Sequence, residues 1–276
     1  MPRTMALLLL AAAIAAAGCG RAVGEAASAA PAAPGTEPDA GGNAARAAET
    51  AAPLKVCLVS ASAEYKSDAS LAEFQQYLES RCRAACTRVF GADQGDRLDH
   101  LEAIDSCDVL LVFARRVTLP DDQLERVKRY CAAGRPLIGV RTASHAFQNW
   151  LAFDKEVLGG DYQGHYGAGP PVQVTVVDRA RGHPVLEGVG PLASPYSLYK
   201  NPAVAGDAEV LLTGAIPGHA EPVAWTRVHQ GGRVFYTSLG GPDDFKKETF
   251  RRLLVNALFW TSKRPVAWRP ESARDR

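Results

Sequence analysis

Two histidines, an arginine and several hydroxyl-bearing side chains lie close together between residues 136 and 167, in the segment PLIGVRTASHAFQNWLAFDKEVLGGDYQGHYG. Arg141 and His145 closely follow an apolar run, and His165 lies in a glycine-rich turn. Histidine can act as a general base because its ordinary pKa lies near neutral pH. Arginine can orient a carboxylate, a phosphate or a sugar oxygen through its planar guanidinium group. These residue types therefore indicate acid–base chemistry or the binding of a polar ligand.

The candidate residues divide into two groups by their chemistry. His145, as the base, and Arg141 are the catalytic candidates. The substrate-binding candidates carry a hydroxyl group, a ring or a carboxylate: Thr142, Ser144, Trp150, Tyr162, His165 and Asp243. Trp150 would offer a broad apolar face to a sugar ring, and Asp243 would reach the same place from beyond the last strand.

Each candidate also has a structural interpretation that needs no ligand. These alternatives are backbone capping for His145, stabilisation of its own turn for His165, a buried ion pair with Asp161 or Glu156 for Arg141, core packing for Trp150 and helix capping for Asp243.

A metal site is a further alternative. His145, Asp161 and His165 supply groups that can ligate a metal ion. However, the histidines show neither HxxxH nor HxH spacing, and the three residues come from separate turns. No CxxC pair occurs either, which argues against zinc ribbons and thioredoxin-type motifs. We therefore predict no metal ligands and no cofactor, with a divalent cation at these three residues left open.

Alternating strand and helix patterns surround the candidate residues. Apolar strand segments occur at LKVCLVS, CTRVF, DVLLVFA and PLIGV, and helical spacing of apolar residues occurs over 68–82, 98–104 and 118–134. The helix over 118–134 would begin with a capping box at Thr118 and end at Gly134. Parallel strands need crossovers of a dozen or more residues, so this alternation predicts a parallel sheet with helices on both faces. Ligands of such sheets lie beyond the carboxyl ends of the strands, which is where the candidate turn is expected.

Strands follow one another without long helices in the second half of the chain. The segments VQVTVV, EVLLTG, PVAWTR and GRVFYTSLG are separated only by loops, and HQGG between the last two predicts a hairpin turn. The sheet is therefore expected to become antiparallel toward one edge. A last helix is predicted over 246–261, and residues 263–276 are interpreted as a tail. We predict one α/β domain over residues 54–262.

The first 53 residues are interpreted as export and tethering segments. Ala6 to Ala17 is an apolar run of signal-peptide length, and it ends in small residues followed by Cys19. This order resembles a bacterial lipobox, which predicts a signal peptide over 1–18 and a lipidated Cys19. An ordinary signal-peptidase site and an uncleaved anchor are the alternatives. Residues 19–53 are rich in Ala, Gly and Pro and predict a disordered linker. The protein would then be exported, as a periplasmic or cell-surface lipoprotein tethered to a membrane by acyl chains.

The composition permits a full hydrophobic core and argues against nucleic acid as a partner. The chain has 276 residues, of which 47% are hydrophobic and 22% charged, and its formal net charge is +1. Nucleic-acid binding depends on clustered Lys and Arg side chains that neutralise phosphates. We therefore predict no nucleic-acid partner.

Several motifs between residues 54 and 262 together resemble the ThuA-like (trehalose-utilisation) family. They are GVRTASHAF at 139–147, LGGDYQGHYG at 158–167, HPVLEGV at 183–189, SLYK at 197–200, EVLLTG at 209–214, PVAWTR at 222–227, and GRVFYTSLG followed by DDF at 232–245. The resemblance implies a fold similar to class I glutamine amidotransferases: a flavodoxin-like three-layer sandwich with a mainly parallel sheet and an antiparallel edge. The family name implies a carbohydrate or keto-sugar derivative as the partner.

The resemblance also locates the positions that glutamine hydrolysis would require. In amidotransferases the fourth strand runs into an elbow, G-x-C-x-G, that presents a nucleophilic cysteine, whereas GVRTA here places Arg141 in that position. Gly241 follows GRVFYTSLG, where many family members have a histidine. An arginine keeps its charge and cannot act as a nucleophile. We therefore predict no glutamine amidotransferase activity.

Three functions are consistent with these residues, because reaction type does not follow from fold. The first is an exported enzyme that acts on a carbohydrate or keto-sugar derivative, with His145 as base and Arg141 polarising an oxygen. The second is a non-catalytic lipoprotein module that binds a saccharide or a partner protein. The third is a structural lipoprotein with an empty crevice, which a full burial of Arg141 against a carboxylate would favour.

Overall fold

The computed structural model describes residues 52–269, which form a ten-stranded mixed sheet flanked by helices. The strands are β1 (Leu54–Ala61), β2 (Ala84–Gly91), β3 (Leu98–Asp99), β4 (Val109–Ala114), β5 (Leu137–Val140), β6 (Val172–Val176), β7 (Leu192–Ser194), β8 (Glu209–Ile216), β9 (His219–His229) and β10 (Gly232–Thr237). The α-helices of this region are α1 (Ser67–Arg81), α2 (Asp121–Ala132), α3 (Pro242–Phe245) and α4 (Glu248–Thr261). The predicted signal peptide, Cys19 and the linker as far as residue 51 lie outside the described residues.

The sheet combines a parallel half with an antiparallel half. Its order is β3-β2-β1-β4-β5-β10-β9-β8-β6-β7, and the strands from β2 to β10 in this order are parallel. The remaining five pairings are antiparallel and occupy both edges, so the parallel part is smaller than the sequence predicts. Two-residue turns join β8 to β9 and β9 to β10, and strands joined in this way must run antiparallel.

Helices cover both faces of the parallel half, because alternate residues of its strands point to opposite sides. Val56 and Leu58 of β1 pack in the same cluster as the apolar residues of α1 and α4. Cys57 and Val59 belong instead to the cluster that contains Val127 of α2. Apolar side chains thus fill the space on each face, as the alternation of strands and helices predicts.

Three local predictions differ from the structure. Residues 98–104 form the short strand β3 and a 3-10 helix (Leu101–Asp105) rather than one α-helix. Helix α2 begins after Pro120, since Leu119 is held in an extended segment by both side-chain groups of Asn149. The last helix, α4, begins at Glu248 rather than at residue 246, and a separate short helix, α3, precedes it. The Asp244 carboxylate of α3 accepts hydrogen bonds from the backbone N–H groups of Gly240 and Gly241.

The domain extends beyond the boundary predicted at residue 262. Trp268 forms a β-bridge with Cys82, and the N–H of Arg269 donates to the carbonyl of Arg81 at the end of α1. Residues 263–269 therefore pack against the domain, and the tail predicted there begins too early.

Three further features of residues 52–269 bear on the sequence predictions. The five cysteines in this region are free thiols, and four of them are buried. Within the same region no helix has the length and the apolar character needed to cross a bilayer. The turn between β9 and β10 is the predicted hairpin, with positive φ values of 50° at Gln230 and 81° at Gly231.

Candidate functional site

The turn after β5 holds Arg141 in a left-handed backbone conformation. Strand β5 ends at Val140, and Arg141 follows with a φ of 47° as the first residue of a 3-10 helix (Arg141–His145). A non-glycine residue in this conformation is strained, and such strain persists where the surrounding structure holds the residue in place. The chain therefore turns sharply at Arg141, directly after β5.

The guanidinium of Arg141 is enclosed by three tyrosine rings, which we call the tyrosine cage: Tyr65, Tyr196 and Tyr199. The guanidinium carbon lies 4.3, 5.4 and 4.6 Å from their respective ring centres. Nη1 donates to the carbonyl of Ser238 at 2.7 Å, and Nη2 donates to the Tyr65 hydroxyl at 3.0 Å. Favourable contacts between a cation and aromatic faces partly replace the water that Arg141 has lost.

Arg141 is too buried to meet a ligand in this conformation. Its exposure is 1%, so the expectation that it lines an open crevice is wrong. The alternative of a buried ion pair is wrong as well, because neither Asp161 nor Glu156 contacts it within residues 52–269. The structure places Arg141 where it can position the tyrosine cage, while a direct catalytic role stays a prediction without a supporting contact.

His145 belongs to a group of stacked rings that we call the aromatic patch: His145, Tyr162, His165 and Tyr199. The imidazole of His145 stacks on Tyr162 with 4.6 Å between ring centres, and Tyr162 lies 4.7 Å from Tyr199. The ring of His165 lies 6.4 Å from Tyr199 on its other side. Tyr199 is buried and forms the floor, whereas His145 and Tyr162 are half-buried and His165 is exposed. The patch thus joins three residues that the sequence singles out and presents them at the surface.

The imidazole of His145 is unprotonated at neutral pH. Burial lowers its pKa to about 3, and the positive charges of Arg116, Arg115 and Arg141 act in the same direction. Nδ1 lies 3.1 Å from the hydroxyl of Ser144. Nε2 has no hydrogen-bond partner among residues 52–269, so it is available to a ligand. A base with so low a pKa holds a proton weakly, which argues against a stable imidazolium during catalysis.

The turn that carries Tyr162 depends on a buried carboxylate. Asp154 begins a π-helical turn (Asp154–Leu158), and one of its oxygens accepts the N–H of Tyr162 at 2.9 Å. The other oxygen is buried with no hydrogen-bond partner. Burial raises the pKa of this carboxyl from 3.8 to about 6. The position of the Tyr162 ring is therefore linked to a group that titrates near pH 6 in the folded protein.

Ser144 borders the aromatic patch through its contact with His145, whereas three other predicted binding residues do not join it. Thr142 has no exposed surface, and its hydroxyl donates to the hydroxyl of Ser62 at 3.2 Å. Trp150 packs on Phe147 and Phe153, which supports the core interpretation. Asp243 lies inside α3 rather than before it, where its carboxylate accepts from the Tyr196 hydroxyl and from Lys246.

Sequence reasoning missed four residues that build the site. Arg115 and Arg116 directly follow β4, and Tyr65 follows β1, so the rule that sites lie at carboxyl ends of parallel strands could have found them. Tyr199 stands in the SLYK motif, but nothing in its spacing indicates that it lies beneath Tyr162. Arg115 is neutralised by Glu64 and Asp93, at 2.8 and 2.9 Å, whereas the exposed Arg116 has no such partner within the described region.

The described residues do not assemble a metal site. Between residues 52 and 269, no three His, Cys, Asp or Glu side chains come together in a way that could hold an ion. Asp161, a candidate ligand, instead accepts a hydrogen bond from Gln163, and Nδ1 of His165 lies 2.8 Å from the carbonyl of Tyr166. The His165 contact supports the alternative in which this histidine stabilises its own turn.

The sequence pattern described as trehalose utilisation, ThuA, matches residues 55–261. The chain belongs to the ThuA family. None of the curated proteins matches the chain in sequence. The family assignment therefore stands on the match across most of the chain, and it agrees with the resemblance stated from the motifs.

Solved structures of ThuA-like proteins share the fold. A ThuA-like protein from Parabacteroides merdae aligns with a TM-score of 0.61 at 17% identity, over 79% of this chain and 93% of that one. Another from Bacteroides uniformis aligns with a TM-score of 0.58 at 19% identity, over 76% of this chain and 92% of that one. A β-galactosidase from Rahnella sp. R3 aligns with a TM-score of 0.53 at 14% identity, over 78% of this chain but only 32% of its own. At these identities the likeness concerns the fold alone.

The position after β10 is closed to a histidine in this ThuA chain. A Cβ atom added to Gly241 would lie 2.0 Å from the ring of Tyr196, so the tyrosine cage occupies the space that a side chain would need. Neither the cysteine nor the histidine of an amidotransferase pair is present at the corresponding positions, Arg141 and Gly241.

We expect Arg141→Met to lower the free energy of unfolding by roughly 2–4 kcal/mol, because it removes the cation from three rings and leaves a buried carbonyl without a donor. Arg116→Met is a matched control, since Arg116 also has a positive φ, 52°, but is exposed. The control should change stability by at most about 0.5 kcal/mol. Urea unfolding of both variants measures the difference, and equal losses would contradict the importance of the cage.

We expect Asp154→Asn to flatten the pH dependence of stability between pH 4 and 6. Because the pKa of Asp154 is raised from 3.8 to about 6 in the folded protein, the protonated carboxyl favours the folded state. This contribution to the free energy of unfolding, about 3 kcal/mol, is complete below about pH 4 and is lost as the pH rises through about 6. The amide can still accept the N–H of Tyr162 but cannot titrate. Urea unfolding at pH 4, 5, 6 and 7 tests this, with Asp178→Asn as an exposed control paired with Arg181. Parallel pH curves for the wild type and Asp154→Asn would contradict the assignment.

Proposed function

We propose that this ThuA domain binds a carbohydrate or a keto-sugar derivative on the aromatic patch. The observation that carries the proposal is the stack of His145 on Tyr162 above the buried Tyr199, next to the exposed Arg116. Sugar rings present apolar C–H faces together with many hydroxyl groups, and an aromatic surface edged by polar groups suits both. The family description, trehalose utilisation, supports the same class of ligand.

The polar atoms of the patch match the needs of a sugar. The unprotonated His145 offers Nε2 as either an acceptor or a donor, depending on its tautomer. Nδ1–H of His165 donates to the carbonyl of Tyr166, which leaves Nε2 for a ligand. Arg116 supplies a charged donor nearby. A sugar could therefore stack on a ring while its hydroxyl groups bond to the edges of the patch.

Acid–base catalysis on a keto sugar is the second candidate, and the positive charge near His145 favours it. An unprotonated imidazole could remove a proton adjacent to a carbonyl, and the resulting oxyanion would be stabilised by a nearby guanidinium. Arg116 lowers the pKa of His145, and its backbone N–H donates to the carbonyl of that residue, so it lies near enough to supply this charge. In this mechanism Arg141 acts through the cage that it positions, without contact with the substrate.

We also infer a fold of the class I glutamine amidotransferase type without glutamine amidotransferase activity. The five parallel strands have the order 2-1-3-4-5 when they are numbered along the chain, which is the order of flavodoxin-like sheets. The elbow at Arg141 and the helices on both faces support this inference. The absence of a thiol at residue 141 supports the lack of amidotransferase chemistry.

Tyr162→Ala should weaken sugar binding at least tenfold, which corresponds to about 1.4 kcal/mol, because it removes the stacking surface. The measurement is calorimetric titration of the full chain with trehalose, other disaccharides and keto-disaccharides. Trp150→Ala is the matched control, since this half-buried ring lies off the patch and should leave affinity unchanged. An equal loss in both variants, or no binding of any sugar to the wild type, would reject the proposed site.

His145→Gln separates the two candidates in the same experiment. A binding domain should retain sugar affinity within a few-fold, with no product formed by either protein. A catalytic domain should convert the keto sugar, followed by NMR, and lose roughly 100-fold or more of its turnover in the variant. Undiminished turnover would exclude His145 as the base.

Export and lipid anchoring complete the proposal. Its support is the apolar run that ends in small residues before Cys19. The partner of the protein would then be a membrane, through the lipid on Cys19, and we propose no nucleic-acid partner. Cells given a labelled fatty acid should label the wild type, whereas the Cys19→Ser variant should remain unlabelled. Equal labelling of the two proteins, or none, would reject lipidation at Cys19.

A further inference from the structure

A cavity of about 530 Å³ lies at the opposite end of β10 from the candidate site. Its walls come from α4, the residues that follow α4, and the second residue of β10, Arg233. Ser238, which binds Arg141, follows the other end of that strand. Five residues of strand correspond to roughly 17 Å, so the cavity is separate from the aromatic patch and shares none of its residues.

Positive charge dominates the walls of this cavity. Four basic side chains line it, namely Arg233, Arg252, Lys263 and Arg264, against a single carboxylate, Glu187. Arg264 is partly neutralised by Asp108 at 3.8 Å. The other three form no ion pair with any residue between 52 and 269. No carboxylate between residues 52 and 269 pairs with these three side chains to offset their mutual repulsion, and an anionic ligand would do so.

Two of these arginines are held in place before any ligand arrives. Arg233 lies 4.6 Å above the ring of Trp260 and donates from Nη1 to the carbonyl of that residue at 2.8 Å. Arg252 lies 4.9 Å above the ring of Trp268 and donates from Nε to the carbonyl of Glu187 at 3.1 Å. Each guanidinium retains further N–H groups for a ligand. Because these side chains are already ordered, a ligand would lose little affinity to their immobilisation.

We propose that this cavity, which we call the basic cavity, binds a small organic oxyanion with a ring, such as a phosphate monoester or a carboxylate of an aromatic compound. Guanidinium groups recognise phosphate and carboxylate oxygens through paired N–H donors. The indoles of Trp260 and Trp268 line the same space and offer apolar surface to the ring of the ligand. The volume lies in the range of cavities that enclose small molecules.

The test is calorimetric titration of the full chain with phenyl phosphate and with phthalate. Inorganic phosphate, which lacks the ring, and phenol, which lacks the charge, are the comparison probes. At least one of the first two should bind saturably at one site, and more tightly than inorganic phosphate or phenol. Arg233→Met and Arg252→Met should each weaken this binding at least tenfold, whereas Glu187→Gln should strengthen it two- to threefold by removing the one opposing charge. The last variant keeps the backbone carbonyl that holds Arg252.

Arg88→Met is the matched control, because Arg88 also lies above a ring, that of Phe90 at 5.2 Å, but belongs to β2 and not to the cavity. It should leave binding unchanged. The proposal fails if neither phenyl phosphate nor phthalate binds at 10 mM, or if Arg88→Met or Arg116→Met weakens binding as much as Arg252→Met. It also fails if binding appears only after removal of residues 270–276, because the end of the chain would then be the natural occupant. Should Arg252→Met not fold, Lys263→Met and Glu187→Gln still decide the outcome.

Discussion

A buried guanidinium that has no carboxylate partner among residues 52–269 organises the carboxyl edge of this sheet. Arg141 follows β5, and its contacts reach Tyr65 after β1, Tyr196 and Tyr199 after β7, and Ser238 after β10. Burying a charge is costly unless hydrogen bonds and other contacts replace water. Here two carbonyls, two hydroxyls and three ring faces do so, which holds three separate segments around a single side chain. The aromatic patch depends on this arrangement, because Tyr199 belongs to both the cage and the patch.

The same arrangement explains how an arginine is accommodated in the tight turn after β5. Arg141 has a positive φ, and its side chain turns into the protein and is covered by the tyrosine cage. Tyr196 then occupies the space beside Gly241, where any larger residue would collide with its ring. The arginine, the tyrosine and the glycine are therefore mutually dependent. A cysteine placed at residue 141 alone would leave the cage without its cation, and Tyr196 would still fill the space beside Gly241.

The location of the site could be predicted from sequence, whereas its internal arrangement could not. The turn after β5 could be predicted because an apolar run ends there in a cluster of polar residues. The rule for parallel sheets then predicts a ligand at that edge. The burial of Arg141 could not be predicted from sequence, since its partners Tyr65 and Ser238 lie 76 and 97 residues away along the chain. The orientation of Trp150 could not be predicted either, because its position in the sequence does not reveal whether its ring faces Phe153 or the patch.

Electrostatics then limits what His145 can do. Its low pKa follows from burial and from the charges of Arg116, Arg115 and Arg141. The imidazole that meets an incoming ligand is therefore neutral, with a proton on only one ring nitrogen. It can accept a hydrogen bond, yet it cannot serve as a general acid until something offsets the positive charge around it. A ligand that brings an oxyanion next to Arg116 would provide that offset and would raise the pKa of His145. A neutral sugar would leave the pKa low and would only be bound, whereas an oxidised sugar that develops negative charge could make the same histidine a competent base.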